Sequence, residues 1–139
     1  MSWLVWSLLS AFFAALTALF AKLGVAHVDS NLATAIRTSV VVVFAWAIAF
    51  SLGAYSGLAM LDRKSWIFLT VSGLATGFSW ICYFRALSLG AASKVAPIDK
   101  LSVVFVIALA WPILGEALNA KKLIGGLLIS AGAIVLAYS

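Results

Sequence analysis

Four charged side chains, Arg37, Arg85, Asp99 and Lys100, fall near or inside long apolar runs. A charge held among apolar residues is costly, and it marks a pair, a wet cavity or a pathway unless it reaches the edge of the apolar layer. Arg37 lies about two turns into the second apolar run, at 3.6 residues per turn. Arg85 follows Trp80-Ile81-Cys82-Tyr83-Phe84, and Asp99-Lys100 follows Pro97. The long cations have a plain alternative, which is to lay their stems along apolar surface and snorkel to the interface. Asp99 has a one-carbon stem and cannot, so it needs a partner or water. Neighbours on a helix point about 100° apart. The expected partner is therefore Arg85 or Lys94 rather than Lys100. Glu116 closes the same run, where a helix-end carboxylate is cheaper.

Enzymatic sets are nearly missing. The single histidine, His27, sits beside Asp29 in a short loop, with no second His or Cys at a metal-ligand spacing. It reads as a polar loop residue. No Ser-His-Asp arrangement and no glycine-rich phosphate loop stands out. No catalytic residue, metal or cofactor is expected. The lone Cys82 excludes an internal disulfide.

Uncharged polar residues form stripes. Ser72, Thr76, Ser79 and Tyr83 are four, three and four apart and share one helix face. Ser7, Ser10 and Thr17 repeat the idea in the first run, and Asn31, Thr34 and Thr38 in the second. In lipid such stripes turn inward, to bond between helices or to line a polar cavity. Packing explains any one Ser or Thr; three striped helices with buried charges favour the cavity. Gly73-x-x-x-Gly77, Gly126-x-x-x-Ser130 and the Ala11, Ala15, Ala18 series mark close packing or a subunit contact. Pro112 predicts a kink in the fourth run. Trp3, Trp6, Tyr55, Trp66, Trp111 and Tyr138 lie near run ends, as interfacial aromatics do. Trp46 and Trp80 lie deeper, where a binding site could use them.

The elements that must position these residues are five apolar stretches, roughly 3–21, 31–53, 66–87, 96–114 and 123–138. Each meets or approaches the length of about 20 residues that crosses a hydrocarbon layer as a helix. Hydrophobic residues make up 65% of the chain and charged residues 9%, far from the balance of a water-soluble domain. The runs do not alternate, which excludes a barrel. The expected fold is all-α: one polytopic membrane domain over residues 1–139 with five transmembrane helices. The first run lacks a basic start and is too long for a cleaved signal core. The net charge of +5 comes from cations at helix ends. It suits headgroups rather than nucleic acid.

Orientation follows the count of Lys and Arg on each side. Arg63, Lys64, Lys121 and Lys122 give four on the N-terminal side. The other side has Lys22 and Lys94 in loops, two, or five once Arg37, Arg85 and Lys100 are included. Four against two puts the N-terminus in the cytoplasm; four against five reverses it. A chain with so little bias can insert both ways.

Two stretches carry a resemblance. Tyr83-Phe84-Arg85-Ala86-Leu87 leads through Gly90-Ala91-Ala92-Ser93-Lys94-Val95-Ala96-Pro97. Leu114-Gly115-Glu116-Ala117-Leu118 leads into Lys122-Leu123-Ile124-Gly125-Gly126-Leu127-Leu128-Ile129-Ser130-Ala131-Gly132. With Ala33-x-x-x-Arg37, this order resembles the EamA-type domain of the drug/metabolite transporter superfamily, in its short five-helix bacterial/archaeal branch. Val103 stands where many members carry a mid-helix proline, and Pro97 comes earlier. Substrate inferences from ten-helix relatives therefore do not transfer. The resemblance implies half of an inverted-repeat transporter. Ten-helix relatives hold two five-helix repeats of opposite orientation around a central site, a general transporter plan. By that analogy the first four helices line the cavity and the fifth helps hold the halves together.

The reading is a small-solute transporter in the cell (inner or plasma) membrane. It works as a homodimer, antiparallel by the weak cation bias, through alternating access. Substrate-binding or gating candidates are Arg37, Trp80, Tyr83, Arg85, Asp99, Lys100 and Ser102. Cavity-lining candidates are Ser10, Thr17, Thr34, Thr38, Ser72, Thr76 and Ser79. Dimer or packing candidates are Gly73, Gly77, Gly126 and Ser130. Three positive charges to one negative favour an anionic or zwitterionic solute. The first helix has no acidic residue, which argues against the proton-coupled cation exchange of small multidrug transporters and leaves Asp99 for any proton coupling. The rival reading is a non-transporting membrane subunit or scaffold, in which charges snorkel and stripes pack. A membrane enzyme is remote.

Overall fold

A computed structural model describes residues 2–139. All long elements are helices: α1 (Trp3–Gly24), α2 (Ser30–Ser51), α3 (Arg63–Leu89), α4 (Ala92–Asp99), α5 (Ser102–Leu114) and α6 (Ala120–Tyr138), with a 3₁₀ turn at Ala54–Met60. Taking α4 and α5 as one span, five helical segments are long and apolar enough to cross a membrane. Most of their large apolar side chains face outward. That is costly in water and natural in lipid.

The ends of the helices depart from the sequence reading in ways that local chemistry explains. α2 stops at Ser51 instead of residue 53, because Gly53 takes a left-handed conformation (φ 69°) that an ordinary side chain resists. α3 starts at Arg63 instead of residue 66, because the Asp62 carboxylate accepts from the Ser65 N–H at 3.2 Å and supplies a cap. Asp29 likewise caps α2, accepting from the N–H groups of Asn31 and Leu32 at 2.9 and 3.1 Å. Asn119 accepts from the Lys122 N–H at 2.9 Å and starts α6 three residues early. Apolar runs locate the lipid-facing stretch; caps in the polar flanks decide where the helix begins.

The fourth span differs most. Its helix begins at Ala92, so Ser93, Lys94 and Val95 are helical rather than loop. It is interrupted at Lys100–Leu101, where bonds tighten to three-residue spacing: Leu101 N–H to Ile98 O at 3.0 Å, Val103 N–H to Lys100 O at 3.1 Å, and Val104 N–H to Leu101 O at 2.9 Å. Pro97, inside α4, has no N–H to give the ladder. Pro112 likewise lies inside a helix, α5, which continues past it to Leu114. Gly115 (φ 69°) then ends α5, letting the Glu116 N–H turn back to Ala110 O at 3.2 Å.

The chain forms two compact units. One comprises α1 to Leu23 with residues 89–139; the other comprises residues 24–88. In the first, α4 and α5 both pack on α6. Small residues make that approach close: a Cβ built on the buried Gly126 would lie 3.8 Å from Ile107 Cδ1, and Ala110 and Ala133 are buried. Lys22 Nζ donates to Gly90 O at 2.8 Å, tying the end of α1 to the turn before α4. In the second unit, Val25, Ser30, Thr34, Phe84 and Leu87 are buried.

Candidate functional site

Two helices of the second unit bring a cation against aromatic rings. Arg37 lies seven residues into α2, about 10 Å along the helix at 1.5 Å per residue. Its guanidinium carbon stands 4.1 Å from the centre of the Trp80 ring and 5.5 Å from that of Phe84, both on α3. Trp80 and Phe84 are four apart, so α3 presents them on one face. Tyr83, on the same helix, packs edge-on to Phe84 with ring centroids 6.5 Å apart. Phe84 is 2% exposed, whereas Arg37, Trp80 and Tyr83 are half-buried. Among the described residues Arg37 has no carboxylate partner. The rings supply π-density and desolvated contact, but no compensating charge.

A groove of about 540 Å³ opens between the same helices, and Arg37, Trp80, Tyr83 and Phe84 are not among the residues that line it. Its α2 wall carries Asn31, Thr34, Thr38, Ser39, Val42 and Val43; its α3 wall is Gly77 and Ile81. The threonine hydroxyls bond to their own helix, Thr34 Oγ1 to Ser30 O and Thr38 Oγ1 to Thr34 O, each at 2.7 Å. Their donors are thus used, and their oxygen lone pairs remain for a guest. Gly77 leaves width: a Cβ there would meet nothing within 4 Å.

The structure brings Arg37 against Trp80, with Tyr83 next to Phe84, and sets Thr34, Thr38 and Gly77 along the groove between the same two helices. Others stand apart from this cluster. Arg85 is exposed. Ser72, Thr76 and Ser79 are exposed on α3 and do not line the groove, and Thr76 Oγ1 bonds back to Ser72 O at 2.9 Å. Gly73 faces open space. Ser10 and Thr17, on α1, belong to the first unit, as do Ser102, at the start of α5, Gly126 and Ser130. Ser130 Oγ bonds back to Gly126 O at 2.9 Å.

Asp99 corrects the sequence reading. Its partner is Lys100, Nζ to Oδ2 at 3.3 Å. The angular argument against that pair holds inside a helix. Here α4 ends at Asp99 and Lys100 is the capping residue, so a four-carbon stem can fold back. The two side chains are 35% and 58% exposed. Such a pair contributes little, about 0–1 kcal/mol. Glu116 pairs with Lys122 at 3.0 Å beyond the end of α5. His27 is exposed, and no cluster of three or more His, Cys, Asp or Glu able to hold a metal occurs among the described residues.

Sequence reasoning missed Phe84 as the second wall of the arginine cradle. Its spacing of four from Trp80 was the available signal. It also missed a second groove, of about 330 Å³, between α5 and α6. There the signal was Val104, Ile107, Ala108 and Trp111 at helical spacing opposite Gly126 and Ser130.

Comparison with known proteins adds an independent line. The sequence profile of the EamA-like transporter family matches residues 1–138. The chain is also 51% identical over 136 residues to a Sinorhizobium sp protein described as an uncharacterized transporter in the cobO 3' region. That alignment covers 98% of this chain and 96% of the relative. No solved structure matches.

Proposed function

The chain belongs to the EamA-like transporter family, and we propose that it carries a small anionic or zwitterionic solute, with Arg37 as the anchor for the solute's anionic group. The observation that supports this is the state of Arg37. It is a cation in a membrane-spanning helix, within cation–π reach of two rings and with no acidic partner among the described residues. A guanidinium carries its N–H donors around its edge, in a fork that fits a carboxylate or phosphate. The groove between the same helices offers hydroxyl and amide groups at Asn31, Thr34 and Thr38, with apolar walls at Val42 and Ile81. A small acid with a short apolar or polar body fits that lining.

The transporter acts as an antiparallel homodimer by alternating access. The groove is open on one side, as half of a two-sided site is. Gly73 and Gly77 keep part of α3 free of side-chain bulk, and a second copy can approach closely there. An inverted copy would present the same groove from the opposite face, the arrangement inverted-repeat carriers use.

The test is thermal stabilisation of the purified protein by a panel of small carboxylates, amino acids and quaternary ammonium compounds. Carboxylates or amino acids should stabilise the native protein and leave Arg37→Ala unmoved. Stabilisation by the ammonium compounds alone would overturn the anionic reading.

A further inference from the structure

The groove between α5 and α6 is independent of the arginine site. Its α5 wall uses Val104, Ile107, Ala108 and Trp111, and its α6 wall uses Leu123, Gly126, Leu127 and Ser130. Both sets follow helical spacing, so the groove runs along the helix axes. From Lys122 to Ser130 it extends about 12 Å at 1.5 Å per residue. Its floor is narrow where Gly126 meets Ile107, and its lining is almost wholly apolar. One end differs: Lys122 stands at the mouth beside Leu118 and Trp111, with Lys121 next to it and exposed.

We propose that this groove binds one anionic phospholipid, with an acyl chain along α5 and α6 and the phosphate at Lys122 and Lys121. The occupant follows from three features. The groove lies between two membrane-spanning segments, so hydrocarbon chains surround it. Its length and apolar lining suit a chain rather than a polar solute. Its one charged end is cationic and sits at the start of α6, where headgroups lie. A basic pocket between membrane helices is a recurring headgroup site. Trp111, 63% exposed, adds an aromatic ring at the same level, where tryptophans prefer the interface.

Glu116 works against the phosphate, since its carboxylate lies 3.0 Å from Lys122 Nζ. That pair is solvent-facing, at 37% and 54% exposure, so its hold is weak. A phosphate can share or replace it, and Lys121 adds a second cation. The local sum of Glu116, Lys121 and Lys122 is one net positive charge.

Native mass spectrometry of the full chain in a nonionic detergent tests the assignment. The probes are dioleoyl phosphatidylglycerol, dioleoyl phosphatidylcholine and inorganic phosphate. One phosphatidylglycerol per chain should be retained in preference to phosphatidylcholine. Each lysine near a lipid surface contributes roughly fivefold to anionic-lipid binding. The Lys121→Gln/Lys122→Gln double variant should therefore erase most of the preference. Glu116→Gln should raise it, a direction that loss of a structural ion pair does not predict. Ala108→Leu should reduce retention of both lipids by filling the groove. Equal retention of the two lipids by the native chain would overturn the proposal, as would a preference that survives the double lysine substitution. Displacement of phosphatidylglycerol by inorganic phosphate would make this a free-anion site. An Ala108→Leu variant that splits a dimer while keeping its lipid would assign the groove to a second copy of the chain.

Discussion

The Arg37 guanidinium lies 4.1 Å from the centre of the Trp80 ring, one side chain from each of two neighbouring membrane helices. This contact bridges α2 and α3. A cation–π contact of this kind restricts the orientation of a side chain that would otherwise lose more entropy on binding.

Trp80→Ala should weaken ligand binding by removing that orientation. The contact is worth about 0.5–2 kcal/mol, so affinity should fall by roughly 2- to 30-fold. Trp80→Phe should recover part of it. Arg37→Lys keeps the charge but loses the planar fork, and should bind a carboxylate ligand more weakly than the native protein. Calorimetric titration of the three variants with the best ligand from the panel checks the order. Equal affinity across all of them would remove Arg37 from the site.

Antiparallel assembly predicts both orientations in one membrane. A compartment-sensitive reporter fused to Ser139 should give signal on each face. Signal confined to one face would eliminate the inverted pair.

Gly73 separates packing within a chain from packing between chains. It is exposed, and a Cβ there meets nothing within 4 Å. Leucine at Gly73 should leave the folded chain intact and reduce the dimer fraction seen by cross-linking. Gly126 is different. Alanine fits at 3.8 Å from Ile107, whereas leucine should disturb the α5–α6 contact and lower stability by about 1–3 kcal/mol, as overpacking does.

The Asp99–Lys100 pair is exposed and adjacent in sequence. Asp99→Asn and Lys100→Ala should each change stability by less than about 1 kcal/mol. A larger loss of transport than of stability in Asp99→Asn would give that carboxylate a role in coupling. Parallel flux and thermal-melt measurements separate the two.

Hydrogen bonds from Ser65 hold the Asp62 carboxyl below the ordinary carboxylate range. A carboxylate with a lowered folded pKa stabilises fully above its unfolded value and loses that effect as pH falls through the folded one. The start of α3 should therefore stay protected at neutral pH and fray only in strong acid. Amide exchange at Ser65 reports this. Asp62→Ala should expose that amide at neutral pH.

The five spans and the all-helical fold were legible because lipid imposes a length and an apolar composition that a sequence displays directly. The stripe of Asn31, Thr34 and Thr38 was legible for the same reason: helical periodicity puts residues on a face before anything folds. Arg37 and Trp80 each stood out as polar or bulky groups at depth. Their contact did not. It joins residues forty-three positions apart, and depends on how α2 and α3 are rotated about their axes. The Asp99–Lys100 pair was misjudged because a regular helix was assumed where Pro97 and the tightened turn at Lys100–Leu101 end one. Residue type and spacing thus settled the solvent, the number of candidate crossings and which residues share a helix face. Side-chain packing across helices selected which of those faces meet, and so which cation has rings around it, which carboxylate has a lysine beside it, and where a groove stays open. Long-range contacts depend on the placement of whole helices, and no local pattern encodes that placement.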